Sequence, residues 1–307
     1  MADPRDSHNA VKVAVRVRPL ARDEVASLVT DESDQSIRML DPLTGRPDER
    51  TKVKFDFAFG DDEETGSQEC VFECIGKPLI ESAFGGYNAT VLAYGQTGSG
   101  KSYTMTGHSQ YDTTSGLEPR LVDALFAQAD ALAVRAPAPP APVPALTLAE
   151  GTDAEQLLAA SLAARPRVRF EASKLEVYNE KVYDLLQCGS RVPLKVREGV
   201  GGVFVDGLTR VLCRDAATAQ LFFRQGEQNR TTAATLMNSQ SSRSHAVTEV
   251  RLTQAAEDLE TGEETIKTSK LSLVDLAGSE RANRTGTAGE RFEEGKILES
   301  KAPPRLP

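Results

Sequence analysis

The chain has 307 residues, of which 39% are hydrophobic and 26% charged, and its formal net charge is −9. This composition is typical of globular domains, and the length suits one large domain or two small ones. The acidic balance argues against general nucleic-acid binding, and no uncharged run reaches the roughly 20 apolar residues that span a bilayer. We therefore expect neither nucleic acid nor a membrane as a partner.

Four segments in the first half of the chain predict three strands and a helix. Residues 11–19, VKVAVRVRP, alternate valine with other residues and predict a strand that Pro19 ends. Residues 52–60 alternate in the same way, and the short apolar run 89–95 predicts a buried strand closed by glycine. Leucines at helical spacing predict a helix over residues 118–132.

The second half continues the alternation of strand and helix. Residues 167–179 predict a strand, with a bulge or bend because the apolar phase slips between Phe170 and Leu175. Residues 215–233 predict a helix, and residues 244–254 and 268–278 predict a hairpin of two strands. Strands alternating with helices indicate an α/β sandwich with a mixed sheet.

Two regions and the cysteines carry no visible chemistry. The polar residues 1–10 predict a tail without the apolar core of a signal peptide. Residues 135–166 open with a Pro/Ala tract that favours extended backbone, and we interpret them as a surface insertion between a helix and a strand. The four cysteines, Cys70, Cys74, Cys188 and Cys213, are interpreted as reduced cytosolic thiols.

Residues 95–102, GQTGSGKS, match the phosphate-loop pattern G-x-x-x-x-G-K-[ST] between a predicted strand and a helix start. Gly95, Gly98 and Gly100 permit backbone angles that aim successive N–H groups at phosphate oxygens. Lys101 can reach the β- and γ-phosphates, and the Ser102 hydroxyl can bind Mg²⁺. The alternative, a glycine-rich turn with a chance lysine, is disfavoured by the preceding strand.

A second motif supplies a metal holder. Residues 271–278, LSLVDLAG, place Asp275 at the end of an apolar strand, where a Walker B aspartate lies. Gly278 follows three residues later and is a candidate sensor. Its N–H could donate a hydrogen bond to the γ-phosphate, and this bond would be lost after hydrolysis. Aspartates end many strands, so this interpretation depends on the phosphate loop.

Residues 238–245, NSQSSRSH, concentrate hydroxyls, an amide and an arginine just before a strand. In isolation this stretch would indicate a polar turn. Beside a nucleotide site it indicates a loop that closes over phosphate and metal.

These motifs together resemble the kinesin motor domain. AYGQTGSGKSYTMTG is similar to the family's phosphate loop, NSQSSRSH to its switch I, LVDLAGSE to its switch II, and RVRP at 16–19 to its adenine-side motif. LEVYNEKVYDLL at 175–186 is also similar to a family strand and its continuation. The resemblance implies a three-layer P-loop NTPase sandwich, a central mixed sheet flanked by helices, that binds ATP and Mg²⁺ and acts on microtubules in the cytoplasm.

The resemblance also implies roles for matching positions. Arg16, Arg18 and Pro19 would line the adenine with Tyr103. Asn238 and Ser241 would close over the γ-phosphate, and Arg243 and Glu280 would form a salt bridge between the two switches. Ser242 would join Ser102 on Mg²⁺, with Asp275 acting through water and Gly278 as the sensor. The remaining phosphate-loop positions expected to bind nucleotide are Gly95, Gln96, Thr97, Gly98, Ser99, Gly100 and Lys101.

The sequence that follows the switch II motif departs from the family pattern near the end of the chain. After residue 296 the chain reads ILESKAPPRLP, in which Pro303 and Pro304 interrupt helix formation. We therefore expect an incomplete motor domain over residues 11–296, a divergent tail over 297–307, and weakened binding to tubulin. Lys195 and Arg197 match another tubulin-facing region but equally suit an ordinary solvated surface.

Three functions are consistent with the motifs. The first is a microtubule-stimulated motor ATPase, and the second is a nucleotide-binding remnant or short form without movement. The third, a P-loop GTPase, is disfavoured because the chain has RVRP and no guanine-binding N-K-x-D motif.

Overall fold

A mixed β-sheet of six strands organises the protein. The computed structural model describes residues 11–108, 113–135, 167–187, 191–199, 202–236, 243–257 and 264–280. The sheet order is β11-β7-β12-β13-β6, with β8 paired to β7. The bounds of these strands are β6 Ala89–Ala93, β7 Arg167–Tyr178, β8 Lys181–Asp184, β11 Val211–Cys213, β12 His245–Glu257 and β13 Glu264–Asp275.

Smaller sheets surround this one. Strand β1 (Ala14–Arg16) pairs in parallel with β5 (Phe57–Phe59). The strands β2 (Leu28–Asp31), β3 (Ser36–Met39) and β4 (Val53–Lys54) form an antiparallel sheet, and β9 (Lys195–Gly199) pairs with β10 (Gly202–Asp206) in an exposed hairpin. A 3₁₀ turn spans Glu49–Thr51.

Five helices accompany the strands in the described part of the chain. Helix α1 (Gln68–Val71) continues through a π-turn, Phe72–Gly76, into α2 (Lys77–Phe84). The others are α3 (Lys101–Met105), α4 (Leu117–Arg135) and α5 (Ala216–Leu236). None of the described helices is both long and apolar enough to cross a membrane.

The core lies between one face of the large sheet and these helices. Alternate residues of β7, β12 and β13 share this face, because Phe170 pairs with Leu252 and Leu252 with Ser269 in the antiparallel registers. Buried side chains of the helices, Leu121, Leu125 and Phe223 among them, pack in the same cluster. The antiparallel pairs and the parallel β13–β6 pair make the sheet mixed, so the predicted mixed sheet with accompanying helices is confirmed.

Several local predictions were correct in kind and wrong in extent. The 52–60 strand divides into β4 and β5, because Asp56 turns aside and its carboxylate accepts the Val13 N–H at 2.7 Å. Strand β6 is present but only half-buried, with Leu92 61% exposed, because in the described structure it pairs on one side only, with β13. The predicted hairpin is confirmed as β12 and β13.

The predicted bulge in β7 is wrong. The β7–β12 register runs without interruption from Arg167 to Val177. Lys174 and Glu176 lie on the same buried face of β7 as Phe170 and Ala172, and both charged residues are 1% exposed. The alternation of apolar residues is therefore interrupted although the strand is regular. Buried charges, not an extra residue, therefore disturb the hydrophobic pattern.

The predicted tail 1–10, the insertion after Arg135 and the segment 281–307 lie outside the described residues.

Candidate nucleotide-binding site

The phosphate loop connects β6 to α3, as the motif predicts. Gly98 and Gly100 have φ values of +79° and +94°, a left-handed conformation that other residues adopt at a cost. Helix α3 then begins at Lys101 and has only five residues. The loop geometry therefore depends on glycine at these two positions, and the helix dipole behind it is that of a short helix.

The Lys101 ammonium lies inside the loop. Its Nζ donates to the carbonyl oxygens of Gly95 and Gln96, both at 2.9 Å. Burial lowers the pKa of Lys101, while the nearby carboxylates of Asp275 and Glu280 oppose this shift. The loop thus holds a cation among its own carbonyl groups, at the position where phosphate charge is expected.

Ser102 and Asp275 meet at the start of α3. The Ser102 hydroxyl donates to Asp275 Oδ2 at 2.6 Å. Asp275 ends β13, which runs parallel to β6 with Asp275 opposite Ala93. This pairing brings together the two residues that sequence reasoning assigned to Mg²⁺.

The site fits a hard cation. Asp275 is 7% exposed, and its Oδ1 is buried without a hydrogen-bond partner among the described residues. A buried carboxylate oxygen is costly unless a proton donor or a metal satisfies it. Oxygen atoms from a serine and an aspartate are the ligands that Mg²⁺ prefers. The third predicted ligand, Ser242, lies outside the described residues, as do Asn238 and Ser241.

The segment after β13 lies along the phosphate loop. Leu276 N–H donates to Ala93 O at 3.2 Å, and Ser279 N–H donates to Gly95 O at 3.1 Å. These bonds continue the β6–β13 pairing beyond both strands. Residues 276–280 therefore lie alongside the start of the phosphate loop. A change in the loop on ligand binding would reach them directly.

Glu280 is bound directly to the loop. Its Oε2 accepts the Thr97 N–H at 2.9 Å, and its Oε1 accepts the Thr97 hydroxyl. Burial alone would raise the pKa of Glu280, but the Thr97 hydrogen bonds and the charge of Lys101 lower it. A β-carbon on Gly278 would collide with both Thr97 and Glu280, so glycine allows this approach.

Arg243 lies two residues before β12, which pairs with β13, the strand that Glu280 follows. Two residues later, His245 Nδ1 accepts the Ala277 N–H at 3.0 Å, which ties the two segments together. The predicted Arg243–Glu280 bridge stays a prediction. It would require the Glu280 carboxylate to leave Thr97 or to share its oxygens.

The adenine-side residues gather beside α3. Arg16 donates to Gly66 O at 2.6 Å, to Gln68 Oε1 at 2.9 Å and to Thr104 Oγ1 at 3.0 Å, and it lies over the Tyr103 ring. Through these contacts Arg16 holds α3 against the connection between β5 and α1. Its predicted contact with adenine is not tested by this arrangement.

Arg18 and Tyr103 lie close to the loop as well. Arg18 forms an ion pair with Glu24, and its β-carbon lies next to Gly100. The ring of Tyr103 contacts that of His108 at a centroid distance of 4.9 Å, while Pro19 is exposed. The structure thus brings the predicted adenine-side residues to one edge of the phosphate loop.

Sequence reasoning missed Arg230. This residue of α5 is 5% exposed and donates to Asp275 Oδ2 and to Ser244 O, both at 3.2 Å. It donates to the same carboxylate oxygen of Asp275 that accepts the Ser102 hydroxyl. The signal was weak, because one arginine in a helix of mixed composition has no motif around it.

The geometry defines a P-loop nucleotide-binding protein: a glycine loop, a lysine within it, and a serine and a strand-end aspartate in contact. A family model, "Kinesin motor domain", matches residues 16–300. The chain belongs to the kinesin motor domain family.

Curated relatives are similar over most of this chain. Mouse kinesin-like protein KIF13A is 41% identical over 306 residues, covering 95% of this chain and 16% of the relative. Mouse KIF16B is 42% identical over 303 residues, covering 93% and 21%. Kinesin-like protein unc-104 of Caenorhabditis elegans is 37% identical over 298 residues, covering 94% and 17%. The chain thus spans about a sixth to a fifth of the length of these relatives.

Solved structures agree with this assignment. A fast kinesin aligns with a TM-score of 0.73 at 30% identity, covering 95% of this chain and 72% of that structure. A KIF14 dimer with AMP-PNP, in complex with a microtubule, aligns with a TM-score of 0.72 at 36% identity, covering 94% and 74%. The predicted kinesin-like P-loop fold is therefore confirmed.

Proposed function

We propose that this chain binds Mg²⁺-ATP at the phosphate loop and couples its hydrolysis to movement on microtubules. The observation that carries the proposal is the contact between Ser102 and Asp275 beside the loop that holds Lys101. The buried, unsatisfied Oδ1 of Asp275 supports a cation at that point.

Different side chains of the site are proposed to bind the phosphates and the metal. Lys101 offers positive charge to the phosphates, and Ser102 and Asp275 hold the metal, with Arg230 fixing the aspartate. When bound, Mg²⁺ neutralises phosphate charge during phosphoryl transfer. Phosphoryl transfer depends mainly on positioning and charge stabilisation, so rigid placement of these groups matters more than their acidity.

The coupling step is assigned to the segment 276–280. Glu280 holds Thr97 in the described structure, and we propose that it exchanges Thr97 for Arg243 when nucleotide fills the loop. Gly278 N–H, Asn238 and Ser241 are proposed to sense the γ-phosphate, and Ser242 to join Ser102 on the metal. A loop that pairs differently in two nucleotide states can act as a conformational switch.

The partner is proposed to be the microtubule, in the cytoplasmic cytoskeleton. The support is family membership, together with the exposed β9–β10 hairpin that carries Lys195 and Arg197. Arg197 is paired with Asp206 at 2.6 Å, so the hairpin is not a strong basic patch by itself. The alternative is nucleotide binding without movement, and co-sedimentation with microtubules in each nucleotide state separates the two.

Lys101→Ala tests the nucleotide site. A unit charge at about 4 Å in an effective dielectric of about 20 contributes about 4 kcal/mol, and solvent reduces this at an exposed loop. We expect ATP affinity to fall by at least about tenfold. Lys181→Ala, an exposed lysine of β8 remote from the loop, is the matched control. Unchanged ATP affinity in Lys101→Ala would contradict the assignment.

A further inference from the structure

Lys174, in the middle of β7, is a lysine that the nucleotide site does not use. Its side chain is 1% exposed, and its Nζ lies 3.0 Å from Glu118 Oε1 and 2.9 Å from Glu227 Oε1. Glu118 also accepts the Thr248 hydroxyl at 2.8 Å. One buried cation therefore joins the first turn of α4, the sheet and the middle of α5.

The cluster fixes α5 closely against the sheet. A β-carbon on Gly226 would lie 2.8 Å from Lys174 Cδ, so glycine lets the helix backbone rest on the lysine stem. Glu227, the next residue, supplies the ion pair. Lys174 thus contacts α5 at two successive residues, with its stem against Gly226 and its charge against Glu227.

One helical turn later the same helix presents Arg230 to Asp275. Residues three apart lie on the same side of a helix, so Glu227 and Arg230 share the side that faces the sheet. Burial alone would raise the pKa of Glu227, but the ion pair with Lys174 and the charge of Arg230 lower it. Because Glu227 and Arg230 lie one turn apart on the same helix, a displacement of α5 at Glu227 would also displace Arg230, which binds Asp275.

We propose that Lys174 is a positioning residue for the Mg²⁺ site, acting through Glu227, the α5 helix and Arg230 on Asp275. It touches none of the groups proposed to bind nucleotide, and its effect is on where Asp275 is held. The inference rests on the proposed Mg²⁺-ATP site for its consequence, whereas the link from Lys174 to α5 can be measured without nucleotide.

Lys174→Met tests the link, since it keeps the stem and removes the charge. In the nucleotide-free chain we expect faster amide hydrogen exchange in the second half of α5, by at least about tenfold, because removing the lysine charge leaves the buried Glu118 and the partly buried Glu227 without their cation. Asn229, which donates to Leu185 O at 2.7 Å, still anchors the helix and should keep it folded. If Lys174→Met does not fold, the triple variant Lys174→Met, Glu118→Gln and Glu227→Gln takes its place in the test. It removes the lysine charge together with the two carboxylate charges that the lysine compensates.

The functional readout is the Mg²⁺ concentration that gives half-maximal ATP hydrolysis. We expect a rise of about tenfold in Lys174→Met, and the double variant with Arg230→Met should need no more Mg²⁺ than Arg230→Met alone, because a residue that acts through another adds nothing once that residue is removed. Leu252→Ala, a buried residue of β12 paired with Phe170, lowers stability by removing buried apolar surface but changes none of the charged groups at Lys174, Glu227, Arg230 and Asp275, so it should keep the wild-type Mg²⁺ dependence.

The outcomes separate the two proposals. Wild-type exchange in α5 of Lys174→Met, wild-type Mg²⁺ dependence, or an additive effect with Arg230→Met would each overturn the positioning role. A wild-type chain that binds no Mg²⁺-ATP would overturn the proposed function instead, and hydrogen exchange would still decide whether Lys174 positions α5.

Discussion

The Thr97–Glu280 contact gives a prediction with an unusual direction. Thr97→Val keeps the shape of the side chain and the backbone N–H bond to Glu280 Oε2, but removes the hydroxyl that Oε1 accepts. If Glu280 must leave the loop before nucleotide is enclosed, weakening this contact should favour binding. The variant is therefore expected to bind a non-hydrolysable ATP analogue more tightly than wild type.

The magnitude follows from the kind of bond that is lost. A hydrogen bond to a charged group contributes about 1.5–3 kcal/mol, and exposure of the loop reduces this to about 1 kcal/mol. A ligand that binds one of two states gains apparent affinity when the other state is destabilised. About 1 kcal/mol corresponds to a gain of about fivefold in the affinity.

The assay is a fluorescence titration with a labelled, non-hydrolysable ATP analogue and Mg²⁺, without microtubules. Thr97→Ser keeps the hydroxyl and serves as the matched control, with wild-type affinity expected. Equal or weaker affinity in Thr97→Val, with Thr97→Ser unchanged, would refute the idea that this contact opposes closure of the site.

Two further predictions concern the titratable groups of Glu227 and Cys213. Because the folded pKa of Glu227 is lowered below its ordinary 4.5, its contribution to stability is present above about pH 4.5 and is lost as pH falls further. Glu227→Gln should therefore make the free energy of unfolding in urea less dependent on pH below about pH 4.5, and a profile identical to wild type in that range would contradict the pairing with Lys174. Burial raises the pKa of the Cys213 thiol to about 11, so at about pH 8 this thiol should react with a disulfide reagent only after unfolding. Rapid labelling of Cys213 in the folded chain, located by mass spectrometry, would show that the thiol is accessible.

The phosphate loop and its aspartate could be predicted because their chemistry constrains the sequence. Left-handed glycines, a lysine and a hydroxyl at fixed spacing have few other uses, and the parallel pairing of β6 with β13 brings Asp275 to Ser102. The hairpin of β12 and β13 was also evident, since its alternation extends over many residues.

The buried polar network could not be predicted from the same patterns. Lys174 and Glu176 interrupt the apolar alternation of β7, and a bulge explains such a slip as well as a buried charge does. Only the placement of Glu118 and Glu227, distant in sequence, shows that the lysine is compensated. Arg230 was missed for a related reason, because its importance derives from what α5 packs against.

The parallel pairing of β6 and β13 also has a consequence for how the chain folds. Ser102 and Asp275 are 173 positions apart, and β7 and β12, which extend the sheet on the other side of β13, lie between them in the sequence. Contacts between distant residues form slowly, because the loop entropy is lost before the contact is gained. We expect the nucleotide site to be among the last parts of the protein to form.

A site completed so late cannot assist the earlier steps. Nucleotide that binds only the finished fold stabilises it by mass action, and interactions absent from the transition state slow unfolding without accelerating folding. In a cell, the lifetime of this domain would then follow the nucleotide supply, while the speed of its maturation would not.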